Sequence, residues 1–360
     1  MSPYALSVFG GVQEQVLAMS RELSRRGILV QVIAPDSHDL TTYDTPARIE
    51  RFGRLISIPA NGSRAPLTLS VAASRRAARR IHEFDPQVVH FHEPFAPLVG
   101  WSTLREHNAA AVGTFHRSGE GPAVSMAAPF LRRWAHHLDI NAAVSEQAAA
   151  TAHSSCGVQT KVLFNGFETT RFVEFDREQQ PIATVVVLGR LESRKGVMTA
   201  IEAVRAHNER HENPWRLVII GDGPERTSLV AAGGTDGAVQ FLGAVSDIEK
   251  RRWYRRADVL VAPATHGESF GLILLEAMAS ETPVVASDIP GYRDAAGAHA
   301  LLFAPGNSAS LEQAISMSLA RDHWNPGPAL LHAEHWSMSR LVDDYFTLYQ
   351  SARERFGALR

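Results

Sequence analysis

The sequence predicts an α/β protein built from two Rossmann-like domains of parallel sheet. Three observations predict it. Short β-branched runs alternate with helical patterns through the 360 residues. The strand runs are continuously apolar, which marks sheets covered on both faces. The alternation pauses at Asn165-Gly166-Phe167 and the polar stretch running to Pro181, which marks a linker. The expected strands, in order, are residues 28–33, 88–92, 110–115, 183–188, 216–220, 259–262 and 283–286. The expected domains are residues 1–166 and 167–335, followed by a last helical segment, 336–360. Ligands of such sheets lie at the C-terminal strand edges, in a cleft between the two domains.

The start of the chain breaks the pattern. Gly10-Gly11-Val12 reads as a glycine-rich loop entering a helix through Gln13 and Val16. Such a loop should follow a strand, yet Met1 to Ser7 make a poor one. The first strand of the N-terminal sheet is therefore expected to be missing or much shortened. Adding a short apolar segment upstream, roughly one strand long, should raise stability.

Composition narrows the function classes. Apolar content of 45% and charged content of 21% are ordinary for a globular protein. A formal net charge of −2 provides no drive toward nucleic acid. A single cysteine, Cys156, excludes an internal disulfide framework and fits a reducing compartment. No apolar stretch is long enough to span a bilayer, and Met1-Ser2-Pro3-Tyr4 lacks a signal-peptide pattern. The expected location is the cytoplasm, with peripheral contact at a membrane surface allowed.

The most informative motif is Glu268-Ser269-Phe270-Gly271 followed by the apolar run from Leu272 through Glu276 to Met278. Glu268 is expected just ahead of a helix N-terminus and Glu276 about two turns on. Backbone N–H groups at such a terminus take phosphate or hydroxyl oxygens. A carboxylate at each end can grip two sets of sugar hydroxyls, as a nucleotide-sugar requires. The same spacing also fits an ordinary capped helix. Upstream, the stretch from Gly189 through Arg190 and Lys195 to Gly196 follows a strand and opens a helix. Arg190 and Lys195 can there stabilise a departing diphosphate. Gly221-Asp222-Gly223 makes a tight turn at the next strand end. Val245, Asp247 and Lys250 follow another, where Asp247 can accept two hydrogen bonds from a guanine edge or cap a helix.

In the N-terminal half, Gly10 and Gly11 can bring backbone N–H groups to a diphosphate. His116 ends a strand and is expected to face ligand, and His92-Glu93-Pro94 to brace a loop. The helix around Ser74 carries Arg75, Arg76, Arg79 and Arg80, a candidate surface for anionic lipid or a solvated face. There is no Asp-X-Asp element, no His/Cys cluster in sequence and no P-loop. No tightly bound cofactor or metal is expected, and a divalent ion at most loosely associated with the diphosphate.

Together these residues resemble the retaining glycosyltransferases of family 4, which have the GT-B fold. Within that family they are most similar to the bacterial phosphatidylinositol mannosyltransferases. The resemblance is carried by the Glu268–Glu276 motif, Ala286 to Gly291, Gly189-Arg190, Lys195-Gly196, Pro3-Tyr4, Gly10 to Gln13, Ile58-Pro59, Asn61-Gly62-Ser63, His92-Glu93-Pro94 and Thr114-Phe115-His116. It implies mannosyl transfer from GDP-mannose to a membrane lipid such as phosphatidylinositol, with retention. It implies Arg190 and Lys195 on the diphosphate, Glu276 on the ribose, Glu268 on the hexose and His116 beside the reacting carbon. Val245, Asp247 and Lys250 would meet guanine. Gly10, Gly11, Ser269, Phe270, Gly271 and Leu272 would complete the donor site, and Tyr4, Asn61, Ser63 and Arg64 would position the acceptor. The last helix, through Val342, Tyr345 and Tyr349, would cross back onto the N-terminal domain. Ala60, Pro66 and Arg117 depart from the family pattern, all on the acceptor side. A different polysaccharide or polyol acceptor, or an inactive nucleotide-sugar binder, remains open at this point.

Overall fold

The computed structural model describes the chain apart from residues 7–10, 36–44, 53–55, 61–62, 68–69, 97–98, 118–121, 179, 269, 321–324 and 359–360; side chains at 56–60, 63–67, 99–102 and 122–126 also lie outside the description. Two units form, Met1–Phe167 with Met338–Arg360, and Glu168–Ser337.

In the first unit the order is α1 (Gly11–Arg25), β1 (Gln31–Pro35), β2 (Arg48–Phe52), β3 (Ile56–Ala60), β4 (Ser63–Leu67), α2 (Val71–Phe84), β5 (Val88–His92), α3 (Val99–Glu106), β6 (Ala110–Phe115), α4 (Pro122–Ala135), β7 (Ile140–Ala143), α5 (Glu146–Cys156) and β8 (Lys161–Val162). The second unit continues with β9 (Thr184–Leu188), α6 (Val197–Arg210), β10 (Arg216–Ile220), α7 (Arg226–Gly233), β11 (Val239–Gly243), α8 (Asp247–Arg256), β12 (Val259–Ala262), α9 (Leu272–Ala279), β13 (Val284–Ser287), α10 (Pro290–Ala296), β14 (Leu301–Phe303), α11 (Ser308–Leu319) and α12 (Pro326–Glu334). The chain closes with α13 (Met338–Ala358), which belongs to the first unit.

The second unit holds one six-stranded parallel sheet, ordered β11-β10-β9-β12-β13-β14. Its central residues, Val185, Val186, Leu217, Val218, Leu260 and Val261, are fully buried. Helices on both faces explain why these strands read as unbroken apolar runs.

In the first unit the parallel strands form two groups, β1-β2 and β5-β6-β7-β8. Between them lie Met1 and Ser2. Ser2 N–H donates to the Ile33 carbonyl at 2.9 Å, and His92 N–H donates to the Met1 carbonyl at 3.1 Å. The Met1 ammonium donates to the His90 carbonyl at 2.5 Å. Two residues thus bridge β1 and β5. Beside them is a cavity of about 620 Å³ lined by Val16, Met19, Leu23, Ile33, Val89 and Tyr349, among others.

One expectation needs correction, and one hairpin gave no strand signal in the sequence. The strand read at residues 28–33 begins only at Gln31, and Ile28 and Leu29 are exposed. The Ile28 N–H instead donates to the Leu23 carbonyl at 3.1 Å, closing the turn after α1. The segment 56–67 forms an antiparallel hairpin, Ile56 paired with Leu67 and Ala60 with Ser63. Pro59 and Pro66 within it masked a strand reading, since proline weakens such a signal.

α13 packs through Leu341, Val342, Tyr345 and Leu348 against Met19, Ala142 and Leu163. Cys156 is buried at the end of α5. No helix among the described residues is long and apolar enough to cross a membrane.

Candidate active site

The loop after β9 is clamped on both sides. Gly189 N–H donates to Ile220 and Leu191 N–H to Asp222, tying it to the turn after β10. On the other side Thr265 N–H donates to the Arg194 carbonyl at 2.8 Å. Gly196 has φ +65°, and a Cβ there would lie 2.0 Å from the Pro263 carbonyl oxygen, so no other residue fits. The clamp presents the short 3₁₀ turn Ser193–Lys195 toward the loop that precedes α9.

Glu268 sits in that second loop. Its Oε1 accepts from Arg194 Nη1 at 2.6 Å and lies 2.7 Å from Lys195 Nζ. Arg194 Nε also reaches Glu192 at 3.1 Å, and Arg190 pairs with Glu192 at 3.1 Å. Three cations therefore meet two carboxylates, and the cluster carries one formal positive charge in excess. Lys195 and Glu268 form an ion pair, whereas Arg190 lies on Glu192 and is exposed. Arg194 was not singled out from the sequence. Its place between two other cationic residues carried no signal of which side chain turns toward Glu268.

Gly271 then opens α9 with φ +87°, where a Cβ would strike the Tyr292 ring at 2.6 Å. Phe270 is buried edge-on against Trp336, and Leu272 is partly exposed at the first helical position. α9 begins at Leu272, directly after Gly271, and Glu276 falls in its second turn. Glu276 is buried. Its Oε1 accepts from Lys250 Nζ at 3.2 Å and its Oε2 from the Tyr254 hydroxyl at 2.7 Å. Burial, then the neighbouring Glu276 charge, raises the Tyr254 hydroxyl well above its usual range, so it stays a donor. Each oxygen keeps acceptor capacity beyond that one bond. Tyr254 was also missed; it lies 22 residues from Glu276 in sequence.

Ser246, not Asp247, caps α8, its side chain accepting from Glu249 N–H. Asp247 accepts from Arg171 at 3.0 Å and Arg251 at 3.1 Å, and lies 3.5 Å from Lys250. Burial opposes its ionisation, but Lys250, Arg171 and Arg251 outweigh that and hold it below the usual carboxylate range. Val245 lies partly exposed just before α8.

The first unit has its own polar centre at the ends of β5 and β6. His92 Nδ1 lies 2.9 Å from His116 Nε2. His90 stacks on His92 and lies 2.7 Å from the Thr114 hydroxyl and 2.9 Å from the Tyr349 hydroxyl. Burial pushes His90 and His92 well below the usual imidazole range and His116 down to about 3, so all three are neutral at pH 7. Glu93 braces the centre from a left-handed backbone position, φ 46°. Its Oε1 accepts from His116 N–H at 2.5 Å and Arg117 N–H at 2.6 Å. Burial, then the Glu93 charge, raises the Tyr4 hydroxyl above its usual range, with Arg117 opposing.

Gly11 is the exposed first residue of α1. Gly10, Asn61 and Ser269 lie outside the described residues, as do the side chains of Ser63 and Arg64 on β4. On α2, Arg75, Arg76 and Arg79 are exposed. Arg79 and Arg80 both meet Glu83, and Arg80 also meets Glu50.

The family described as Glycosyltransferase Family 4 matches residues 9–171, and Glycosyl transferases group 1 matches residues 182–321. A phosphatidyl-myo-inositol mannosyltransferase of Mycobacterium leprae is 36% identical over 89% of this chain and 86% of its own length. One from Propionibacterium freudenreichii is 33% identical over 93% and 90%. Among solved structures, Anabaena HepE in complex with UDP and glucose superposes with a TM-score of 0.72 at 18% identity, covering 95% and 96% of the two chains. At that identity the likeness establishes the shared fold, the GT-B arrangement of two Rossmann-like units. The match across nearly all of its length shows that this chain belongs to glycosyltransferase family 4.

Proposed function

We propose that this enzyme transfers mannose from GDP-mannose to a membrane lipid of the phosphatidylinositol type, with retention at the anomeric carbon. The observation that carries the reading is the Glu268 carboxylate held by Lys195 and Arg194 ahead of α9. Glu268 would grip the hexose while Lys195, with Arg190, takes the diphosphate, whose charge the excess cation favours. Buried Glu276 would take the ribose hydroxyls, held in place by Lys250 and Tyr254. Val245, Asp247 and Lys250 would meet the guanine. Gly10, Gly11, Ser269, Phe270, Gly271 and Leu272 would complete the donor site. Residues 167–335 would form the donor domain and residues 1–166 the acceptor domain, with 336–360 returning to it. Tyr4, Asn61, Ser63 and Arg64 would position the acceptor.

His116 would face the reacting carbon. Its Nε2 is shared with His92, so Nδ1 would bond a sugar hydroxyl. A neutral imidazole cannot supply the positive charge that a bare histidine at this point suggests. No carboxylate has a clear role as nucleophile. Front-face attack within an ion pair is the mechanism this favours, the diphosphate oxygen accepting the acceptor's proton; a trapped covalent glycosyl-enzyme would rule it out. Arg75, Arg76, Arg79 and Arg80 would rest on anionic lipid at the cytoplasmic face. The glutamates on Arg79 and Arg80 weaken that surface and favour, as a second reading, a non-lipid acceptor.

Calorimetric titration with GDP, UDP and ADP tests the donor, and transfer to phosphatidylinositol in vesicles tests the acceptor. Selective micromolar GDP binding with lipid-dependent turnover is expected. Preference for UDP or ADP would overturn the mannosyl assignment. Turnover on a soluble acceptor, indifferent to vesicles, would establish the second reading.

A further inference from the structure

A second cluster of chemistry-bearing side chains lies at the far end of α6, about 20 Å along the helix from Lys195. His207 and His211 stand one turn apart, and Glu312 reaches across from α11. His207 Nδ1 lies 3.5 Å from Glu312 Oε1, and His211 Nε2 lies 3.9 Å from the same oxygen. One ligand atom from each residue falls within 4.8 Å of the others. His207 is 8% exposed, its ring sandwiched against Trp215 at 3.5 Å and His211 at 4.4 Å. Its Nε2 lies 3.1 Å from the Asn213 carbonyl oxygen, so that nitrogen carries the proton. In the neutral ring, Nδ1 is then a bare lone pair, buried and without a hydrogen-bond partner among the described residues. A lone pair and a carboxylate oxygen facing each other at this distance call for a positive charge between them.

We propose that His207, His211 and Glu312 bind a divalent transition ion of the zinc type. Two imidazoles and one carboxylate suit zinc, cobalt or nickel and not magnesium. Metal–ligand bonds of about 2.0–2.2 Å place ligand atoms roughly 3.3–3.5 Å apart, so small side-chain rotations close the site. The Asn213 carbonyl supplies the outer bond that fixes the histidine tautomer in such centres. Arg210 occupies the other Glu312 oxygen, Oε2, leaving Oε1 for the ion. The bound ion ties α6 to α11 and pins the turn at residues 211–215 that leads into β10. It is a staple of the second unit, apart from the diphosphate chemistry.

The test uses the full chain without a histidine tag, stripped with chelator and dialysed. Zinc chloride is titrated by calorimetry, and cobalt chloride by visible absorption. One ion per chain is expected, with cobalt bands of a four- or five-coordinate site and a rise in Tm with zinc. Magnesium chloride should do neither. His211→Ala and Glu312→Gln should each weaken zinc binding by more than about tenfold, the least that even outer-shell changes cost. His211 is exposed, so its variant should match the wild-type Tm in chelator. No binding would mean that His207 and Glu312 share only a proton, and the proposal would fall. Undiminished binding in both variants would place the ion on other histidines and equally overturn it.

Discussion

In the second unit the polar centre is built from ion pairs on loops clamped by glycines and backbone hydrogen bonds, above an unbroken six-stranded sheet. In the first unit the centre is three neutral imidazoles and a bracing carboxylate, at the edge of a sheet whose two halves meet through Met1 and Ser2. Charge survives near the surface because partners and water repay desolvation. Packed against one another under strand ends, imidazoles cannot charge without that cost. The second unit is thus suited to an anionic ligand. The first offers hydrogen bonds from uncharged imidazoles.

The comparison can be tested from the strongest effect downward. Glu268→Gln keeps the side-chain shape and removes the charge that Lys195 and Arg194 share. Transfer should fall by about 10²–10³-fold with the Tm nearly unchanged. Wild-type turnover in a steady-state assay would remove Glu268 from the site.

Acid should strike the first unit through its histidines. Their folded pKa values lie below the ordinary 6.5. The unfolded chain therefore binds protons first, and their contribution is complete above pH 6.5 and lost as pH falls toward about 3, the value for His116. Glu93, raised by burial, acts in the opposite sense but is one group against three. Urea melts from pH 7 to 5 should show a fall in stability that His92→Gln makes shallower. A slope identical in that variant would mean that the imidazoles are not buried neutral.

Tyr254→Phe should cost about 1–3 kcal/mol, because it leaves a buried Glu276 oxygen one bond short. Chemical denaturation measures it, and a loss below about 0.5 kcal/mol would show that water replaces the hydroxyl.

Much of the fold was legible. The β-branched runs at Val185–Val187, Leu217–Ile219 and Val259–Val261 were read as strands because a doubly covered strand can be apolar at every position. The hairpin at residues 56–67 was not, since two prolines and a polar turn erase its period. In the site, Glu268 and Lys195 could each be singled out from the sequence because each flanks a glycine at a strand-to-helix turn. Arg194 and Tyr254 could not, because their roles depend on which rotamer and which helix face meet a partner far along the chain.

By itself, then, the sequence determined the α/β class, the family and the residue types available for a nucleotide-sugar, because periodicity and glycine placement act over a few residues. Tertiary structure alone decided which carboxylate meets which cation, and that His90, His92 and His116 are neutral. It also decided that His207, His211 and Glu312 converge. Those outcomes depend on distances and desolvation between segments that are far apart in the chain, and only packing sets them.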